Sequence, residues 1–305
     1  MRSGFGTEKR SGSTTSFSKR TPIEKYASVR AAFNSLSNAK LVSTTYTSNF
    51  AEYEESGGSF VVSKWNNLIN DDQYLRQTNS GNYPAISTAN SLNGNPSLRF
   101  LVTDSLGTVA QESGYAGRTI FMVTRQNVIN TFADKSLLYD SGFDIAGGSA
   151  DPQQQGFEVG KSDSTDGGTN YRFALDTFYR TGTNYGGPSA TVVRSDFGDV
   201  NLFVWKQQLD AGSRSLEVSL RDENLSSIFS ATVNQSTIAP AMSDGTWDGL
   251  FGGDGSSIPS AYLNIWRGGD TDYDIEQYFI SIYHSALSDA DCHKVFSMIK
   301  NMYGL

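Results

Sequence analysis

The sequence predicts an all-β protein built from two packed antiparallel sheets, and three observations carry that prediction. The first is composition: of 305 residues, 30 are Gly, aromatics make up 12% and charged side chains only 18%, a balance that suits strands joined by tight turns better than helices. The second is a recurrence of apolar residues at every other position. The third is that these runs are separated by Gly, Asn, Asp and Ser clusters too short for crossover helices, which makes neighbouring strands antiparallel. One large sandwich plus an extension accounts for the length. No fixed-period repeat is present, which disfavours a propeller or a solenoid.

Taken in order, the chain opens with "MRSGFGTEKRSGSTTSFSKR", whose only large apolar side chains are Met1, Phe5 and Phe17. Such a stretch does not fold alone and is expected as an extended arm that orders on a partner. "TPIEKYASVRAAFNSLSNAK" follows and reads as a helix, with Thr21 as N-cap, Pro22 at the first helical position and Glu24 completing a capping box. Tyr26, Val29, Phe33 and Leu36 then recur at helical spacing, so one stripe is apolar. It covers either the body of its own subunit or a neighbour. Residues 1–40 are therefore taken as a basic arm and anchoring helix, and residues 41–305 as the sandwich.

From residue 41 the period changes to two. "YRFALDTFY" places Tyr171, Phe173, Leu175 and Thr177 on one face, and "SLEVSLRDE" sets Leu216, Val218 and Leu220 against Ser215, Glu217, Ser219 and Arg221. "TIFMVTRQ", "NLFVWKQQ", "YLNIWRGG" and "EQYFISIYH" are further half-buried strands. The chain closes on a helix expected at the sandwich edge. Ser288 caps it with Asp291 at the third position, Val295, Phe296, Met298, Ile299 and Met302 supply contacts, and Gly304 ends it.

Charge is unevenly spread. Residues 1–40 hold eight Lys or Arg against two Glu, a balance of +6, while the remainder holds 16 basic and 30 acidic residues, a balance of −14. A cationic arm on an acidic body fits acidic protein better than nucleic acid, whose phosphates the body would repel, so no specific nucleic-acid binding is expected. Residues 1–20 lack a signal-type apolar core, and no run of about 18 apolar residues occurs, so membrane insertion is not expected. A single cysteine, Cys292, leaves no internal disulfide.

Four segments taken together, "SLNGNPSLRF" (91–100), "GRTIFMVTR" (117–125), "GFEVG" (156–160) and the ending "YFISIYHSALSDADCHKVFSMIKNMYGL", resemble in order the concanavalin A-like jelly roll of the laminin-G/pentraxin type. The resemblance covers roughly residues 45–305 and implies a jelly-roll topology for the two sheets. It also looks like the sandwiches found on bacteriophage virions, in capsid decoration proteins, tail fibres and adhesins. The fold carries lectins, glycosidases and structural modules alike, so function must come from particular residues.

The glucanase branch of that fold implies a Glu-x-Asp-x-x-Glu strand motif, and the sequence contains none. The nearest substitute is "GGDTDYDIE", where Asp270, Asp272, Asp274 and Glu276 alternate and project to one side in an extended chain. Clustered carboxylates repel unless solvated, protonated or neutralised. Calcium is the cofactor such oxygens would take, with Asp248 and Asp254 as helpers, and a solvated acidic loop is the alternative. Cys292 and His293 are adjacent and point apart on a helix, which suits a buried thiol and a surface imidazole rather than a catalytic pair. No nucleophile elbow, Walker loop, dinucleotide fingerprint or Cys-x-x-Cys pair is present.

Tyr185, Trp247 and Trp266 lie in or beside turn-rich segments and are candidates for stacking on sugar rings, against a role in the core or a subunit contact. Arg2, Lys9, Arg10, Lys19 and Arg20 are expected to pair with acidic groups on a partner, Phe5 and Phe17 to fill apolar pockets, and the Tyr26, Val29, Phe33 and Leu36 stripe to add buried area. The function expected is a non-enzymatic structural or adhesive virion protein, a homo-oligomer docked on capsid or tail subunits, with a host surface glycan as a further partner. The competing class is a carbohydrate-binding module or degenerate glycoside hydrolase.

Overall fold

The computed structural model describes residues 22–36, 38–47, 49–71, 73–101, 104–108, 117–129, 136–140, 154–161, 171–181, 184–186, 189–194, 200–210, 215–234, 263–267 and 273–305. Helix α1 (Pro22–Asn34) leads into β1 (Ala39–Thr44), β2 (Ala51–Ser56), β3 (Ser59–Trp65), β4 (Leu75–Arg76), β5 (Ala85–Leu92), β6 (Asn95–Leu101), β7 (Leu106–Thr108), β8 (Gly117–Ile129) and β9 (Ser136–Asp140). There follow β10 (Gln154–Lys161), β11 (Tyr171–Thr181), β12 (Asn184–Gly186), β13 (Ser189–Arg194), β14 (Val200–Asp210), β15 (Ser215–Asp222), β16 (Ser227–Asn234), β17 (Leu263–Arg267) and β18 (Tyr273–Tyr283), and the chain ends on helix α2 (Asp289–Tyr303). The fold is an all-β sandwich with one helix at each end of the described chain. Every strand segment quoted from the sequence forms a strand, and the described ladders are all antiparallel.

One ladder runs β16–β15–β14–β8–β18–β1. Strand β8 accompanies β18 from Tyr273 to Tyr283, so the opposite edge of β18 is shared. Its first half takes β6, through Asp274 to Gln277, and its second half takes β1, through Phe279 to Tyr283. Tyr278 sits at the changeover, where the register with β8 shifts between Gln277 and Phe279. A bulge there puts two consecutive residues on one face, and both Tyr278 and Phe279 enter the same core cluster. From β6 the sheet continues through β5 and β3 to β2. Two-residue turns set both hairpins of that wing: Asn93-Gly94 (φ 48° and 75°) and Gly57-Gly58 (φ 58° and 82°) hold the positive φ that such turns require.

The central strands are buried on both faces. Phe121, Val123, Leu202, Val204, Phe279 and Tyr283 pack with the helices, while Ile120, Met122, Phe203, Trp205, Ile280 and Ile282, which alternate with them, are also buried. Strands covered on both sides read as continuous apolar runs, which is why "TIFMVT" and "NLFVW" do not alternate cleanly; the expectation that they are half-buried is corrected here. Each such side chain contributes about 1.5–3 kcal/mol by leaving water.

Helix α2 provides much of the outer cover. Ser288 caps it by accepting from the Asp291 N–H, and its hydroxyl donates to Asp291 Oδ2 at 2.7 Å. Gly304 closes it in the left-handed conformation. Cys292, Val295, Phe296, Ile299, Met302 and Tyr303 form its buried stripe, and Phe296 meets Phe121 edge-on at 5.2 Å. The helix thus lies over the face of the sheet, where the sequence had placed it at an edge. Helix α1 begins at Pro22, as its capping signal predicts. It packs on the same face: Phe33 is fully buried with its ring 5.5 Å from Phe279, Leu36 is buried, Val29 is half-buried against the same cluster, and Arg30 donates to the Ile69 carbonyl at 3.1 Å. Over Val29, Phe33 and Leu36 the stripe therefore covers its own subunit. The partner role expected of Phe33 and Leu36 is corrected, since buried side chains have no surface to offer a neighbour.

Candidate functional site

The first half of β18 carries the one described part of the acidic alternation. Asp274 and Glu276 stand two residues apart on the strand, and register places Glu276 beside Arg99 of β6 and Arg125 of β8. Arg99 grips Asp274 with two donors, Nε to Oδ1 at 2.8 Å and NH2 to Oδ2 at 2.7 Å, and Asn127 Nδ2 adds a third at 3.2 Å. Glu276 is only 1% exposed. Its Oε1 accepts from the Ser87 hydroxyl at 3.0 Å and its Oε2 from Asn90 Nδ2 at 2.8 Å. The Tyr278 hydroxyl donates to the Asn90 carbonyl at 2.7 Å, with Glu276 Oε2 a longer acceptor at 3.2 Å.

The electrostatics follow from these contacts. Its hydrogen bonds to Asp274 hold the Arg99 guanidinium above its ordinary range, against a smaller opposing effect of burial. Burial first and the neighbouring Glu276 second push the Tyr278 phenol up, so it stays protonated. A bidentate Arg–carboxylate pair is among the stronger and more directional contacts a protein makes. In this arrangement both carboxylates are held by protein donors, and a cation at Asp274 would have to displace Arg99. Among the described residues, no group of three or more His, Cys, Asp or Glu side chains is placed to hold a metal ion. The cluster can anchor a strand junction and present the Arg99 guanidinium, whose side chain is 43% exposed, to solvent.

Of the other residues singled out by sequence, Asp270, Asp272 and Trp247 lie outside the described residues, as do Arg2, Phe5, Lys9, Arg10, Phe17, Lys19 and Arg20. Tyr26, Tyr185 and Trp266 fall in α1, β12 and β17, with their side chains outside the described set. Cys292 is buried, and burial pushes its thiol up to about 11. His293 is exposed, as the helical spacing predicts. It borders a cleft of about 470 Å³ between the two helices, with Ala32, Leu36, Lys294 and Met298 on its walls.

One surface escaped the sequence reading. On the β2–β3 hairpin, Tyr53 and Phe60 are 51% and 44% exposed and meet edge-on at 5.5 Å. Lys64 joins Glu52 at 2.8 Å on the same hairpin and lies 4.4 Å from the Tyr74 ring. The available signal was "EYEESGGSF", a Gly-Gly turn between two aromatics.

No protein-family model matches the chain. No curated protein matches it either. The fold does have solved counterparts. A GH54 α-L-arabinofuranosidase shares 11% identity at a TM-score of 0.52, over 91% of this chain and 65% of its own. Trypanosoma rangeli sialidase aligns with 92% of this chain at 8% identity and a TM-score of 0.47, and this chain spans 38% of the sialidase. The cellulose-induced protein Cip1 aligns at 16% identity and a TM-score of 0.39, over 67% of this chain and 87% of its own. The arabinofuranosidase likeness agrees with the all-β sandwich.

Proposed function

We propose that the protein is a non-enzymatic structural or adhesive component of a phage-type virion, a capsid decoration or tail-fibre subunit. Its N-terminal arm docks it as a homo-oligomer on other virion proteins, and a concanavalin A-like, laminin-G/pentraxin-type sandwich is displayed outward. The observation that carries this reading is the charge division of the chain, +6 over residues 1–40 against −14 over the rest. Opposite charge on an arm and a body favours assembly through acidic protein surfaces. Engagement of Asp274 and Glu276 by Arg99, Asn127, Ser87 and Asn90 supports a structural use of these acids. The test is incorporation of the full chain into particles. Phe5→Ala with Phe17→Ala should strongly reduce particle-bound protein while the soluble pool stays folded, and equal incorporation would overturn the reading.

A second reading, a carbohydrate-binding module or degenerate glycoside hydrolase, draws on the arabinofuranosidase likeness. On that reading Tyr185, Trp247 and Trp266 stack on sugar, and calcium at Asp270 and Asp272 orders the loop. A glycan array probed with the full chain, with and without a chelator, separates the two: chelator-sensitive glycan binding favours the module.

A further inference from the structure

Among the described residues strand β2 lies at an open sheet edge: it pairs only with β3, and Glu52 to Ser56 are all exposed. An open edge offers a row of backbone donors and acceptors to any extended segment of matching chemistry. Its side chains narrow the choice. Glu52 has Lys64 as partner, whereas no ion pair with Glu54 or Glu55 occurs among the described residues. Like charge therefore opposes pairing of β2 with another β2, and a basic strand is what the edge fits. The exposed Tyr53–Phe60 pair adds an apolar patch on the face that Tyr53 shares with Glu55.

We infer that this edge receives the basic N-terminal segment 14–20 of a second copy of the chain. This rests on the reading of the arm as an anchor and names its seat. "TTSFSKR" holds no Gly or Pro and is rich in residues that accept extended backbone. In parallel register, with Phe17 beside Tyr53, Lys19 falls beside Glu55, and Arg20 comes to the face that carries Glu54. Apolar and ionic positions are then matched together, which antiparallel alignment of Phe17 with Tyr53 does not achieve, since it leaves Lys19 beside Ala51. Glu52 to Ser56 are exposed, so the edge has room for a strand from a neighbouring copy. Arg20 lies two residues before Pro22 of helix α1, so only about 7 Å of chain links the segment to its own subunit and the two copies must meet closely.

The experiment reverses charge on each side of the contact in the full-length protein. The variants are Glu54→Lys with Glu55→Lys, Lys19→Glu with Arg20→Glu, and all four changes together. Light scattering across a dilution series reads association, and circular dichroism checks the fold. Each single reversal should weaken association about tenfold or more, since two pairs turn repulsive. The fourfold change should restore it, as should an equimolar mixture of the two singly reversed proteins. Hydrogen exchange of the wild type gives a second readout: β2 amides should be protected in the associated state and exposed on dilution. A monomeric wild type, reversals without effect, or no rescue in the fourfold variant would overturn the assignment. If rescue fails while Phe5→Ala with Phe17→Ala still blocks particle incorporation, the arm remains an anchor and only its seat on β2 falls.

Discussion

Strand β18 runs against a single unbroken neighbour, β8, yet its two halves hold the molecule together by different means. Beyond Tyr278 the strand is apolar on both faces apart from the buried Ser281, with Phe279 and Tyr283 under the helices and Ile280 and Ile282 opposite. Before Tyr278 it carries Asp274 and Glu276, bound by side chains from β5, β6 and β8. The apolar half gains by excluding water and tolerates conservative repacking. Its polar counterpart works only when complete, because a buried donor or acceptor left alone costs more than its hydrogen bond had contributed. The bulge at Tyr278 lets one strand serve both designs, since it is where the partner changes from β6 to β1.

The sharpest way to weigh the halves is to damage one buried contact of each, the helix cover over the apolar half and the carboxylate of the polar one. Phe296→Ala empties the space against Phe121 and should destabilise by about 3–5 kcal/mol, read from urea unfolding. Glu276→Ala should cost about 2–3 kcal/mol, because it leaves the Ser87 and Asn90 donors unmatched in a site that is 1% exposed. Glu276→Gln, which keeps the shape, should cost less. If the alanine and glutamine variants unfold alike, the charge of Glu276 matters more than its hydrogen-bond geometry, and the contrast between the halves fails in that form.

The two halves were also unequally legible in the sequence. Helix α2 could be read almost residue by residue, since Ser288, Asp291 and Gly304 act locally and Val295, Phe296 and Ile299 follow a helical period. The strands under it were recognisable, but the burial of both faces of β8 and β14 was not, because their second cover comes from α1 and α2, far away in the chain. For the polar half, the acids alternated visibly while their partners did not. Arg99 lies 175 residues from Asp274, and Ser87 lies 189 from Glu276. Only strand register brings those groups together, so free acids and a calcium site were the natural expectation from local spacing. Tyr53 and Phe60 differ: their signal is local, but aromatics flanking a tight turn at alternating strand positions read equally well as core residues.

At the seam between the halves, Tyr303 at the end of α2 reaches under the bulge. Its hydroxyl pairs with Thr44 Oγ1 at 2.7 Å and donates to the Tyr278 carbonyl, which also accepts from the Thr45 N–H. Tyr303→Phe removes that hydroxyl and nothing else. Stability should fall by about 1 kcal/mol, and hydrogen exchange at the Thr45 amide should quicken more than at the centre of β8. Uniform quickening would show that the bulge is held by the whole helix rather than by this one contact.

The smallest effect is a pH dependence confined to the polar side. Asp104, just beyond β6, accepts from the Leu101 N–H at 2.8 Å, and burial, outweighing that bond, raises its carboxyl from 3.8 to about 6. An acid whose folded-state pKa exceeds its unfolded value binds its proton more tightly when folded. Its favourable contribution is therefore present at low pH and fades as pH rises through the window from about 4 to about 6. Because the carboxyl is only part buried and water screens it, the change should be about 1 kcal/mol or less. Asp104→Asn cannot titrate, so wild type minus variant, followed by urea unfolding, should fall across that window and be flat above it. A flat difference throughout would mean that Asp104 ionises as freely in the fold as outside it. The fragility of the polar side would then rest on lost hydrogen bonds alone and not on buried charge.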